Sequence, residues 1–155
     1  MSETNNTVTK SFNVTEDELK PIWPYEYSIV NTQGISVYAS TVNPTVGIKQ
    51  YVMETDTTEK FNSALKISRL VSDSGGVIKF VPGITFKDST VYYWRTALWP
   101  VTASTNWHKS SFVYIAGSSD GFNQSHYFQY KNDDFKTMTI DSVTRKFEFE
   151  NVSRR

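Results

Sequence analysis

A chain of 155 residues has room for one domain of ordinary size plus some flanking sequence. Sixteen basic residues balance sixteen acidic ones, so no global field draws the chain to nucleic acid or to an anionic membrane surface. Cysteine is absent, which excludes disulfides, thiol catalysis and a cysteine-based zinc site within the chain.

Aromatic residues make up 15% of the chain, Ser, Thr and Val are abundant, and Ala and Leu are scarce. Such side chains suit a pleated, half-buried surface and predict strands rather than helices. No stretch approaches the ~20 apolar residues of a membrane-spanning helix. The opening MSETNNTVTK has no apolar h-region. The expectation is either a cytoplasmic protein or a piece of a longer chain whose export signal lies elsewhere.

Residues 1–20 are polar and read as a linker or the end of a preceding module, with a strand over 8–14. Pro21 and Pro24 hold Ile22 and Trp23 extended, because the residue before a proline is pushed out of the helical region. This marks the entry to a domain over 21–117. Tyr25, Tyr27 and Ile29 alternate, Asn31-Thr32-Gln33-Gly34 turns, and Ile35, Val37 and Ala39 alternate again, a hairpin-like pair. Residues 49–55 form the next strand, with Tyr51 and Met53 on one face and Val52 on the other. The alternation breaks over 56–66, where a helical turn capped by Asp56 or Thr57 would pair Phe61 with Leu65; a loop that buries Phe61 is the other reading. Further strands are expected at 67–71, 77–81, 91–98 and 111–115. Residues 118–155 read as a linker and the first strand of a following module, with 122–130 extended, a turn at 132–134 and a strand at 146–150. Seven short strands with turn signals about every ten residues predict an all-β, seven-stranded immunoglobulin-like sandwich with flanking linker strands. Its predicted core includes Ile35, Val37, Tyr51, Val77, Phe80, Tyr92, Trp94 and Phe112.

The segment 84–97 organises the rest. Phe86, Asp88, Thr90 and Tyr92 lie two residues apart and run on into Trp94 and Arg95. Strand alternation sends Tyr92 and Trp94 to the core and Tyr93 and Arg95 to the opposite face, where they would meet a ligand or partner. Asp88 is expected to bond the backbone of the turn that precedes the strand.

His108 and His126 are the only histidines. A catalytic base needs a nucleophile within hydrogen-bond reach and an orienting carboxylate behind it. Ser110, Ser111 and Ser125 are near in sequence, yet none sits in a G-x-S-x-G elbow. The histidines are read as surface or satisfied groups, and no catalytic residue is assigned. Asp120, Asp133, Asp134 and Asp141 lack the spacing of a calcium loop and read as turn residues; neither metal nor cofactor is expected. Trp99 and Trp107 flank the loop 100–106, at an end of the sandwich where binding loops often sit. With Tyr93 and Arg95 they form the candidate set for a glycan or peptide ligand. No P-loop, dinucleotide fingerprint or basic-aromatic array is present, so nucleic acid is not an expected partner.

Two resemblances extend this reading. Phe86-x-Asp88-x-Thr90-x-Tyr92 resembles the fibronectin type III pattern L-x-P-x-T-x-Y, with Phe and Asp in place of Leu and Pro. The likeness implies that Tyr92 is a tyrosine-corner residue whose hydroxyl bonds back to the preceding turn. In order along the chain, KPIWPYEYSIV, ETDTTEKFNS, DSTVYYWRT, WHKSSFVYI, GFNQSHYFQY and TRKFEFEN together look like a segment of very large secreted proteins of Bacteroidota. Those resemble the type IX secretion sortase and gingipain-like cysteine peptidases, which carry strings of β-sandwich modules. The resemblance implies a noncatalytic spacer or protein-interaction module, extracellular or at the cell surface as part of its parent. Its partners would be neighbouring modules, and the peptidase Cys and His would lie outside this chain.

Overall fold

The structure is a computed structural model that describes residues 18–131, 133–141, 143–144 and 146–149; the expected strand at 8–14 lies outside them. Runs of β-branched and aromatic residues fold as strands in two main sheets. The smaller sheet has the order β1-β3-β6, with β1 at Leu19–Trp23, β3 at Val37–Thr41 and β6 at Val77–Phe80, all antiparallel. The larger has the order β5-β4-β7-β8-β2-β9. Here β2 is Ser28–Val30, β4 Lys49–Asp56, β5 Ile67–Asp73, β7 Thr90–Leu98, β8 His108–Tyr114 and β9 Gly121–Phe122. Among the described strands only β2 and β8 run parallel. A short helix α1, Tyr127–Lys131, follows, and β10, Met138–Ile140, pairs with β11, Phe147–Phe149, in a separate ribbon.

The two main sheets face each other across one aromatic core, an all-β sandwich. The smaller sheet contributes Leu19, Val37, Ala39, Ile78 and Phe80; the larger contributes Val30, Tyr51, Met53, Tyr92, Trp94, Phe112 and Tyr114. Phe86, from the connection between β6 and β7, sits among them. Its ring meets Tyr92 and Phe112 edge-on at 5.0 and 5.4 Å and stacks on Tyr114 at 5.7 Å. The Gln33 side chain holds Phe86 there, donating to its carbonyl and accepting from its N–H, each at 2.8 Å. One buried polar bond ties the sheets together: the Thr96 hydroxyl on β7 donates to the Leu19 carbonyl on β1 at 2.6 Å.

Several expectations are corrected. Residues 25–30 and 35–39 are not a hairpin: β2 lies between β8 and β9, whereas β3 lies between β1 and β6 in the opposite sheet. The chain crosses between sheets through Tyr27, whose φ of 64° is left-handed, so that Leu19 and Val30 both reach the core. Leu19 is fully buried in β1, so the first strand of the sandwich starts within the stretch assigned to a linker ending at residue 20. Val77 is 58% exposed, because Ile78 and Phe80 take the inward phase of β6. Of the two readings of 57–66, the loop that buries Phe61 is the one found: the residues form turns, not a helix, and Leu65 is exposed. The stretch 122–130 is not extended throughout, since α1 begins at Tyr127.

Truncating Phe86 to Ala should lower unfolding free energy by about 3–5 kcal/mol in urea titration, since three aromatic neighbours lose their contact. A loss below about 1 kcal/mol would show that the cluster is not the centre of the core.

Candidate functional site

Opposite the core, the second face of the larger sheet carries the outward residues of β4, β7 and β8. The register sets Glu54 against Arg95, Arg95 against Lys109 and Tyr93 against Ser111. Arg95 therefore points its guanidinium at a carboxylate on the next strand. Nε and one terminal nitrogen donate to Glu54 Oε2 at 2.8 and 2.5 Å, and Lys66 Nζ reaches Oε1 at 3.3 Å. The guanidinium lies 4.2 Å from the Phe61 ring centroid and 4.0 Å from that of Trp107, a cation held between two π faces.

The turn that delivers Phe61 is built on Asp56. Burial alone would raise its carboxyl, but the Ser63 hydroxyl and N–H, the Thr57 N–H and the Thr58 hydroxyl all donate to it and hold it below the usual carboxylate range.

Tyr93 is covered rather than offered to a partner. It is 4% exposed, packed with Phe61 and Tyr127, and its ring meets Phe128 edge-on at 4.9 Å. Its hydroxyl accepts the Tyr127 N–H at 3.3 Å. The expectation of an outward, accessible Tyr93 is corrected: residues beyond 117 fold back onto this face. Of the predicted ligand set, Arg95 and Trp107 come together, but against each other. Trp99 is 40% exposed, and among the described residues no ring contact joins it to Trp107. A hollow of about 340 Å³ beside the loop 100–106, lined by Leu98, Pro100, Thr102 and Asn106, includes neither tryptophan.

Ser111 and His126 form a pair that the sequence spacing did not reveal. The Ser111 hydroxyl is 2.8 Å from His126 Nδ1, and both residues are fully buried. The edge of the Tyr27 ring packs on the imidazole at 5.3 Å, and burial pushes the His126 pKa down to about 4. No carboxylate stands behind Nε2 among the described residues, so the pair is a neutral packing contact without an orienting third group. His108 instead is half-buried, its Nε2 shielded from solvent 3.5 Å from the Glu18 carboxylate.

Asp88 and Tyr92 fasten the turn before β7. Asp88 Oδ1 accepts the Ala116 N–H at 2.7 Å, which holds its carboxyl below the usual range, and the Tyr92 hydroxyl accepts the Lys87 N–H at 2.8 Å. Trp94, on the same face as Tyr92, is fully buried. Among the four aspartates weighed for calcium, Asp120 accepts from the Asn31 amide and Asp141 from Val143 and Thr144.

Two further hollows open elsewhere. One of about 360 Å³ gathers Lys60, Arg95, Lys109 and Lys131 around Glu59 and Phe128; burial, then the charges of Arg95 and Lys131, pushes the Lys109 pKa down. The other, about 510 Å³, lies at the sandwich edge where β1 ends and β2 and β9 pair, lined by Trp23, Tyr25, Ser28, Asn31, Asp120 and Phe122. Sequence reasoning missed it because 21–24 reads as a domain entry and 118–122 as a linker. The only signal was the pair of aromatic residues after Pro21.

The chain matches no family model, no curated protein and no solved structure.

His126 supplies a pH prediction. Its ordinary pKa is 6.5 and its value in the fold about 4. Between those values the unfolded chain binds the extra proton, so stability is fully present above pH 6.5 and declines as the pH falls toward 4. The part due to this group is about 3 kcal/mol. A His126→Asn variant should flatten that limb of the urea-unfolding midpoint against pH; parallel curves for the two proteins would remove His126 as its source.

Proposed function

We propose that the chain is a noncatalytic structural and interaction module whose larger sheet seats a neighbouring segment of polypeptide. The observation that carries this reading is the small aromatic cluster of Tyr93, Phe61 and Tyr127, with Val91, Phe128 and Ile140 against it. Through it, residues beyond the sandwich, from α1 and the β10–β11 ribbon, rest on the outer face of β7. A second sheet face covered by a separate piece of chain is what seating one module on the next requires.

The fibronectin type III-like label is supported by the strand order, β1-β3-β6 against β5-β4-β7-β8, and by the tyrosine hydroxyl bonded back to Lys87. The parent in this reading is a large exported protein of the type IX secretion, gingipain-like group, extracellular or at the cell surface, with any peptidase domain outside this chain. That part rests on the sequence resemblance alone. The alternative, a glycan or peptide held by Trp99 and Trp107, has less support, because Arg95 occupies a face of Trp107.

A Tyr93→Ala change should release the seated segment while sparing the sandwich. Hydrogen exchange should lose protection at 127–131 and 138–140, with local opening easier by roughly 3 kcal/mol, while β3 and β6 keep theirs. Unchanged protection over 127–140 would sink the docking reading.

A further inference from the structure

The hollow at the sandwich edge has properties that neither the core nor the seated segment accounts for. It is the largest of those described, about 510 Å³, within the ~300–1,000 Å³ typical of small-ligand sites. Aromatic side chains stand on its rim with their surfaces in water: Tyr25 is 62% exposed and Phe122 72%. Ser28 also lines it, yet Ser28 is 7% exposed and its hydroxyl has no hydrogen-bond partner among the described residues. That oxygen is closed off from solvent and shares the core-facing side of β2 with Val30, so it is an unfavourable buried group beneath the hollow rather than a contact offered to a ligand.

The backbone beside it is strained. Tyr27 holds φ at 64°, a region costly for a bulky side chain, and the turn closes with the Ser28 N–H donating to the Tyr25 carbonyl at 3.0 Å. That turn fixes Tyr25 on one lip. On the other side the Asn31 amide donates to the Ser118 carbonyl at 2.9 Å and to Asp120 Oδ1 at 3.3 Å, which orients an amide oxygen and a carboxylate. The hollow thus combines exposed aromatic side chains, an oriented amide and a single carboxylate, with no cation among its described lining residues.

We propose that this hollow is a binding site for a neutral sugar, a pyranose ring lying against Tyr25 and Phe122 with its hydroxyls on Asn31 and Asp120. A pyranose presents an apolar C–H face to an aromatic ring and vicinal hydroxyls at its edge, where paired amide and carboxylate oxygens accept them. The lack of a lining cation argues against acidic sugars, phosphates and sulfates. This inference goes beyond the module reading and does not rest on it: a sandwich that seats its neighbour through Tyr93 leaves the Trp23–Phe122 edge open.

The test is calorimetric titration of the full chain with glucose, galactose, mannose, N-acetylglucosamine and short oligomers of each. Saturable binding by at least one is expected. Tyr25→Ala and Phe122→Ala should each weaken it about tenfold, the scale of one lost stacking contact. Trp99→Ala should leave it unchanged. Both rim side chains are exposed, so each variant should melt with the parent, and either one suffices if the other does not fold. Absence of saturable binding across the panel overturns the proposal. So does affinity that is equal in both rim variants and the parent, or that is lost on changing Trp99. Binding of tetramethylammonium with no response to sugars would overturn the ligand class, since rings beside one carboxylate also suit an organic cation.

Discussion

A strand in the middle of a sheet that carries large side chains on both sides needs two separate coverings, and β7 is that strand. Tyr92, Trp94 and Thr96 face the smaller sheet; Tyr93, Arg95 and Ala97 face the other way. Burying an aromatic side chain is worth about 1.5–3 kcal/mol, so leaving either row in water would forfeit a large share of a stability of only ~5–15 kcal/mol. The smaller sheet covers the first row. The second row is covered by the turn that carries Phe61 and by the segment around α1. Both coverings come from chain that would otherwise have no reason to fold where it does.

The outer covering brings a polar problem with it. Glu54 is 9% exposed, and bringing a carboxylate out of water costs several kcal/mol unless it is paired. Arg95 and Lys66 supply the pairing, and the rings of Phe61 and Trp107 take up the faces of the guanidinium. Arginine suits this place better than lysine, because a planar fork bonds the carboxylate in its plane while stacking above and below it. The same geometry commits one face of the Trp107 ring to the charge network. Asp56 works one turn further along, using its carboxylate to fold the loop that puts Phe61 over Arg95.

Period-two alternation was enough to place β3, β4, β7 and β8 and to predict the inward set of Tyr51, Tyr92, Trp94 and Phe112; Asp88, expected to bond the backbone of its own turn, takes its foremost bond from Ala116, beyond β8. It was not enough for short or crossing elements. β2 has three residues, too few to show a phase, and its neighbours in the sheet, β8 and β9, lie about eighty to ninety residues away. In β6, Lys79 shares the phase of Val77, so Ile78 and Phe80 form the apolar row, and an inward Val77 is incompatible with an inward Phe80. Alternation also says which residues share a face but not whether that face meets water. Tyr93 and Arg95 were rightly placed together, and their covering was invisible because it comes from residues 57–66 and 121–131, which no local pattern joins to β7. Ser111 and His126 met for the same reason.

The edge hollow follows from the way the first strands divide between the sheets. β1 pairs with β3 in the smaller sheet, and β2, only a few residues later, lies beside β8 in the larger. The chain between them must cross the gap at the sandwich edge, and the left-handed Tyr27 makes that crossing abrupt. An edge closed by a continuous strand would bury Trp23, Tyr25 and Val30 together. Here only Val30 reaches the core, Trp23 turns its ring edge to Tyr38 at 6.0 Å, and Tyr25 stays outside. The two-residue β9 then caps β2 with Phe122 exposed rather than sealing the opening. A surface formed in this way keeps aromatic rings in water at a cost that the fold does not recover. The unpaired Ser28 hydroxyl adds to that cost at the same spot. Two unfavourable features at one edge, beside a β7 whose two aromatic rows are both covered, are what a site kept for a ligand requires.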